Sequence, residues 1–232
     1  MRNTSRNASS TILAAAVLLI AATSAAAQGY KVETLNVPPP EELAPVVRET
    51  LAGEVLRVTG PNGPLCEIWL RKVIPAKAKA SEELGIAYAQ LEEGSLIGTI
   101  RFLTMTRDFR RQQVRPGIYT LRYSLYPTDG AHMGVSPFRD FLLIAPAALD
   151  TNIAPVPFND LMALTKKAST TSHASPWGLL KTEGEQGTLP SITHAKAEDH
   201  WILHFRAQVQ PAGGVATPIV MSLIVAGYAP EA

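Results

Sequence analysis

A hydrophobic period of two recurs along this chain from residue 54 to residue 226, and it constrains the fold more than any other feature. Alternation places successive side chains on opposite faces of an extended backbone, so such a chain must build sheets with an apolar face to bury. From Gly117, the residues Tyr119, Leu121, Tyr123 and Leu125 point one way and Thr120, Arg122 and Ser124 the other. That predicts a half-buried strand, entered through the turn Arg115-Pro116-Gly117. Glu54 to Thr59, a reversal at 60–64 containing Asn62-Gly63, and Leu65 to Ile74 read as a hairpin. Leu96 to Leu103 alternates as a further strand, with Leu96, Gly98, Ile100 and Phe102 opposed to Thr99 and Arg101.

Two runs, Phe138 to Ala145 and Ile219 to Ala226, are almost continuously apolar and are expected as central strands covered on both faces. In the segment 200–209, Trp201, Leu203, Phe205, Ala207 and Val209 alternate with His200, Ile202, His204, Arg206 and Gln208. A strand with one wet face is expected there, pairing with the last strand across Pro211 to Thr217. Helices are few. Leu43, Val46, Val47 and Leu51 have helical spacing over Ala44 to Ala52, with Pro45 tolerable in a first turn and Gly53 placed to end it. A second helix is expected over Asp160 to Ala168, with Asn159 as N-cap, Leu161 and Leu164 inward, and Lys166-Lys167 near its negative end.

These elements predict a mainly β fold, an antiparallel β-sandwich with two short helices. One domain over 28–232 is expected, with a helix and loop insertion around 150–196. A transmembrane β-barrel fits less well, because 18 prolines and two helical segments interrupt strands of mixed length.

Residues 1–27 read as a cleaved signal peptide. Arg2 and Arg6 precede the apolar run Thr11 to Ala22 and the small-residue site Ala25-Ala26-Ala27. The run is too short for a bilayer-spanning helix, which needs about 20 apolar residues. The expected location is therefore periplasmic or extracellular, with no membrane span. No lipid anchor is expected, because no cysteine stands near the cleavage point. Cys66 is the single cysteine, which excludes an intrachain disulfide. Its phase with Ile68, Leu70 and Ile74 predicts a buried thiol.

Of 21 basic residues, removal of Arg2 and Arg6 leaves 19 against 20 acidic ones. No nucleic-acid partner is implied, since such proteins concentrate positive charge on one face. The densest basic stretch, Arg107 to Arg115, contains Asp108 and reads as a solvated connection between strands. The acid pairs Glu41-Glu42, Glu82-Glu83 and Glu92-Glu93 likewise read as solvated helix or turn faces.

The candidate site is the loop 127–137, too long for a simple turn between two strands. It brings Asp129, His132 and Ser136 within a few positions, with Gly130 and Gly134 permitting tight folding. Asp129 could orient a His132 nitrogen, or the two could approach one metal ion. His173, in another loop, is a candidate to join them. The alternative for His132 is a hydrogen bond within its own loop. No cofactor is expected other than a metal ion at Asp129 and His132. His200 and His204 have the spacing of a helical zinc motif, but Trp201 stands where that motif needs Glu. On a strand the two are separated by roughly 13 Å, too far to share one zinc. Trp69 and Trp177 read as core or cover residues before sugar-stacking platforms. Phosphate loops, dinucleotide fingerprints and nucleophile elbows are missing from the sequence.

The phrase from Arg115 to Tyr123, of the form P-G-x-Y-x-L, resembles the strand opening of exported bacterial β-sandwich modules. Together with the stretch through His132 to Asp140, it is similar to secreted Gram-negative proteins without an assigned activity. The resemblance implies a sandwich fold and carries no catalytic residues. The expected function is an exported, soluble binding or accessory module acting on a protein or small-molecule ligand. The alternative is a metal-binding protein or metal-assisted hydrolase using the 127–137 loop.

Overall fold

The computed structural model describes residues 29–128, 136–171, 173–184 and 187–230. In chain order these form β1 (Lys31–Asn36), α1 (Pro45–Thr50), β2 (Glu54–Gly60), β3 (Gly63–Leu70), β4 (Ile74–Ala76), β5 (Leu96–Phe102), β6 (Thr106–Arg107), β7 (Gln113–Val114), β8 (Gly117–Leu125), β9 (Asp140–Pro146), α2 (Phe158–Thr165), β10 (Pro176–Leu180), β11 (Ser191–Ala195), β12 (His200–Pro211) and β13 (Thr217–Ala226). The fold is mainly β with two short helices, as the alternation predicts.

The main sheet runs β1, β2, β3, β5, β8, β9, β10, β13, β12, β11, with antiparallel neighbours throughout and β4 added parallel to β12. β10 is its junction. Pro176 to Gly178 pair with β9, whereas Leu179 and Leu180 pair with β13, so one short strand belongs to both halves. The two halves share one apolar core. Ile68, Ile100, Phe102 and Leu121 from the first half lie in the same buried cluster as Leu203, Phe205, Met221 and Leu223 from the second. Cys66 is 1% exposed in this cluster, and burial pushes its thiol pKa up, as expected of an inert buried side chain.

The hairpin of β2 and β3 turns at Pro61-Asn62, with Gly60 opposite Gly63. Gly63 carries the positive φ, 110°, that a side chain would resist. β3 stops at Leu70, and Ile74 belongs to the separate β4. The segment 150–196 holds α2 and also contributes β10 and β11 to the sheet.

Several expectations about exposed faces are corrected by what lies over them. β8 is not half-buried: Thr120, Arg122 and Ser124 are fully buried. The chain after β9 folds across that face, and together with Gly94 it saturates Arg122. Its Nε and Nη2 donate to the two oxygens of Asp150, each at 2.7 Å, and the guanidinium also donates to the carbonyls of Gly94, Ala154 and Asn152. β12 has only part of a wet face. His200, Ile202 and His204 are each 7% exposed, and Arg206 alone among the alternating polar residues is exposed. Phe109, Ile224 and Ala229 pack over Ile202, while Thr193 and Ser222 flank His204.

The 107–115 stretch is an anchored hairpin of β6 and β7 rather than a solvated connection, because Asp108 and Phe109 are buried. Glu93 is also not simply solvated, since it accepts from Ser124 Oγ at 2.6 Å and from Leu125 N at 3.1 Å. Glu83 pairs with Arg139 at 2.7 Å. α1 buries Val47 and leaves Val46 outward. α2 begins two residues earlier than expected. Pro157, not Asn159, is its N-cap, with no side-chain capping bond, and Lys166 follows its last turn.

Candidate functional site

Two of the four residues singled out by sequence, Asp129 and His132, lie outside the described residues. Ser136 is half-buried and accepts a long hydrogen bond from Phe138 N at 3.5 Å. His173 is exposed; its backbone N donates to Thr171 Oγ1 at 3.2 Å and its carbonyl accepts from Ser169 Oγ at 3.1 Å. No contact brings Ser136 and His173 together among the described residues. Nor do those residues contain a group of three or more His, Cys, Asp or Glu arranged to hold a metal.

Chemically distinctive residues converge elsewhere, at the end of the sheet where β12 begins and β13 finishes. A cleft of about 680 Å³ is lined by Tyr30, Arg111, Glu198, Asp199, His200, Trp201 and Tyr228, among others. That volume is in the range of small-molecule sites, about 300 to 1,000 Å³. Four separate stretches build it: the approach to β1, the loop between β6 and β7, the turn into β12 and the exit from β13.

Asp108 builds the loop that presents Arg111. Its Oδ1 accepts from the backbone N of Arg110 and of Gln112, each at 2.9 Å, and its Oδ2 accepts from Gln112 Nε2 at 2.8 Å. Arg111 N in turn donates to the Asp108 carbonyl at 2.9 Å. The tight turn forces Arg111 to φ 63° and places its guanidinium 5.0 Å from the centre of the Tyr228 ring. Across the cleft, the turn from β11 into β12 holds Asp199 at φ 53°. Among the described residues these are the two non-glycine positions in the left-handed region, and both line the cleft. Left-handed backbone costs about 1–2 kcal/mol in an L-residue, somewhat less for Asp, so the surrounding hydrogen bonds must hold it.

Asp199 also fixes the aromatic wall. Its Oδ1 lies 2.8 Å from His194 Nε2, and the His194 ring stacks on Trp201 with centroids 4.1 Å apart and planes 3° from parallel. Tyr30 meets Trp201 at 5.2 Å, tilted by 46°. Burial raises the Tyr30 pKa, reinforced by Tyr228 and Asp199, so its hydroxyl remains a protonated donor at neutral pH. His200 Nε2 is 2.9 Å from the Tyr228 carbonyl. A carbonyl only accepts, so Nε2 carries the hydrogen and this face of His200 is committed to holding the β13 exit. The ring of His200 leaves no room beside Gly227, where a Cβ would sit 2.4 Å from His200 Cδ2.

The cleft therefore offers three aromatic rings, one guanidinium, two carboxylates and a phenol donor. Local sequence patterns reach only part of it. Trp201 and His200 stand out on their strand, but Arg111, Asp199 and Tyr228 are isolated in sequence, and their juxtaposition follows from the topology. Trp69 and Trp177 are buried core residues, as expected, with Trp69 Nε1 donating to the Val37 carbonyl at 2.9 Å. Comparison with protein-family models, curated proteins and solved structures returns no match.

Proposed function

We propose that this protein is an exported, soluble binding module of β-sandwich type, and that the cleft around Trp201 is its ligand site. Export rests on the arrangement of residues 1–27, with its basic start, short apolar run and Ala25-Ala26-Ala27. The observation that carries the binding site is the placement of both strained residues, Arg111 and Asp199, on one cleft lined by aromatic rings. Strain held by surrounding structure marks positions where a side chain has been aimed.

The mixture of groups favours a neutral, polyhydroxylated ligand such as a short oligosaccharide. Ring faces accept the apolar side of a sugar, while a guanidinium, carboxylates and a phenol hydrogen-bond its hydroxyls. The opposite charges of Arg111, Glu198 and Asp199 give no preference for a strongly charged ligand. Binding rather than hydrolysis is supported by the commitments of the polar groups, with His200 holding Tyr228 and Asp199 holding His194.

Calorimetric titration with maltotriose, cellotriose and chitotriose tests this reading. At least one should bind, and Trp201→Ala should weaken it about tenfold or more, the usual consequence of losing an aromatic anchor. Absence of heat from all three, or an unchanged affinity in Trp201→Ala, would refute it.

A further inference from the structure

A second opening lies away from the aromatic cleft, between the free side of β12 and the β1–β2 edge. It has a volume of about 320 Å³. Leu56, Leu70 and Phe205 form its apolar floor, and Lys72, Arg206 and Glu54 supply its charges. Two cations against one carboxylate make this site electropositive, in contrast to the balanced cleft.

The topology explains why a ligand could reach the backbone here. β11 pairs with β12 only from His200 to His204, and β4 pairs with it only from Val209 to Pro211. Phe205 to Gln208 are bonded to β13 on one side and, among the described residues, to no strand on the other. Those four residues line the opening. Backbone N–H groups on an uncovered strand edge are donors in need of an acceptor.

The cations differ in how far they are already engaged. Arg71 also borders the opening, but its Nη1 donates to the Ile153 carbonyl at 3.1 Å on the opposite face of the sheet, so its charge is directed away. Lys72 Nζ donates to the Glu49 carbonyl at 2.9 Å, which holds it in place without neutralising its charge. Arg206 is exposed and forms no ion pair among the described residues.

We infer that this opening binds a small organic oxyanion, a carboxylate or phosphate monoester carried on a short apolar body. The oxyanion sits among Lys72, Arg206 and the exposed β12 edge, and the apolar body lies on Leu56, Leu70 and Phe205. This site is independent of the saccharide reading of the cleft.

The test is a calorimetric titration of the protein with octanoate and octyl phosphate, with octyltrimethylammonium as the cationic control of equal chain length. Binding of either anion without binding of the cation is expected, and the better of the two anions identifies the headgroup. Arg206→Glu should weaken anion binding about tenfold or more, since the exposed side chain is replaced by a repelling one, and Trp201→Ala should leave it unchanged. Raising the salt concentration should weaken binding further. The inference is overturned if neither anion binds, if the cation binds equally well, or if Arg206→Glu binds like the parent with its melting temperature retained.

Discussion

Arg111 and Asp199 face the same cleft from different loops, each with a backbone that most residues other than glycine avoid. Arg111 uses that conformation to lay its guanidinium over Tyr228, and Asp199 uses it to hold His194 against Trp201. The cleft is thus shaped by strain at two points, and the strain can be relieved separately from the fold.

Replacing Arg111 by glycine should leave stability within about 1 kcal/mol of the parent, because release of left-handed strain offsets the entropy glycine adds to the unfolded chain. Ligand affinity at the cleft should nevertheless fall. Urea denaturation alongside titration checks this pairing; a large loss of stability would mean that Arg111 holds the fold rather than the site.

The ion pair between Arg122 and Asp150 is a structural counterpart buried on both sides, with side-chain exposures of 0% and 2%. Arg122→Met should leave the Asp150 carboxylate and the Thr120 hydroxyl bonded to it without their cationic partner. A loss of about 3–5 kcal/mol is expected for breaking such a pair by removing one member. Equilibrium denaturation measures it, and a loss below about 1 kcal/mol would show that the pair contributes little.

Gly227→Ala should destabilise the protein by about 1–3 kcal/mol, combining a φ of 131° with a methyl that would meet His200 at 2.4 Å and the Asp199 carbonyl at 3.1 Å. Because His200 holds the Tyr228 carbonyl, cleft binding should weaken in the same variant. Thermal melting and titration of Gly227→Ala together check both effects.

His204 predicts a pH dependence. Burial lowers its pKa below the ordinary 6.5, so the folded state favours the neutral ring that lies between Thr193 and Ser222. The unfolded chain then binds the proton more readily, and stability rises with pH wherever the unfolded state is the more protonated. The contribution of His204 is complete above 6.5 and is lost as pH falls toward its depressed folded value. Melting from pH 8 to pH 5 should therefore decline less in His204→Gln than in the parent; equal slopes would show that His204 does not carry the effect.

Much of the sheet is legible in the sequence because alternation reports directly on which side chains share a face. The bounds of β8 and the pairing of β12 with β13 follow from it. What alternation cannot report is what covers the second face. Thr120 and Arg122 look like solvent-facing residues until the chain from Asp150 to Ala154 is folded over them, and Ser124 does until Glu93 meets it. The same holds for His200 and His204. A buried arginine matched by a distant aspartate carries no local signature, and neither does a cleft assembled from Tyr30, Arg111 and Trp201. The residues with a compact local signature, Asp129 and His132, belong to a segment outside the described residues, whereas Ser136 and His173 share no contact.

Whether the cleft around Trp201 is the ligand site can be read from the indole N–H region of a ¹H–¹⁵N NMR spectrum recorded while the protein is titrated with an oligosaccharide that binds. The chain has three tryptophans, of which Trp69 and Trp177 are core residues at 0% and 4% exposure and Trp201 lines the cleft. With Trp201 in the ligand site, its signal should shift in a saturable way while the other two stay in place. A stationary Trp201 signal at saturating ligand would contradict that placement.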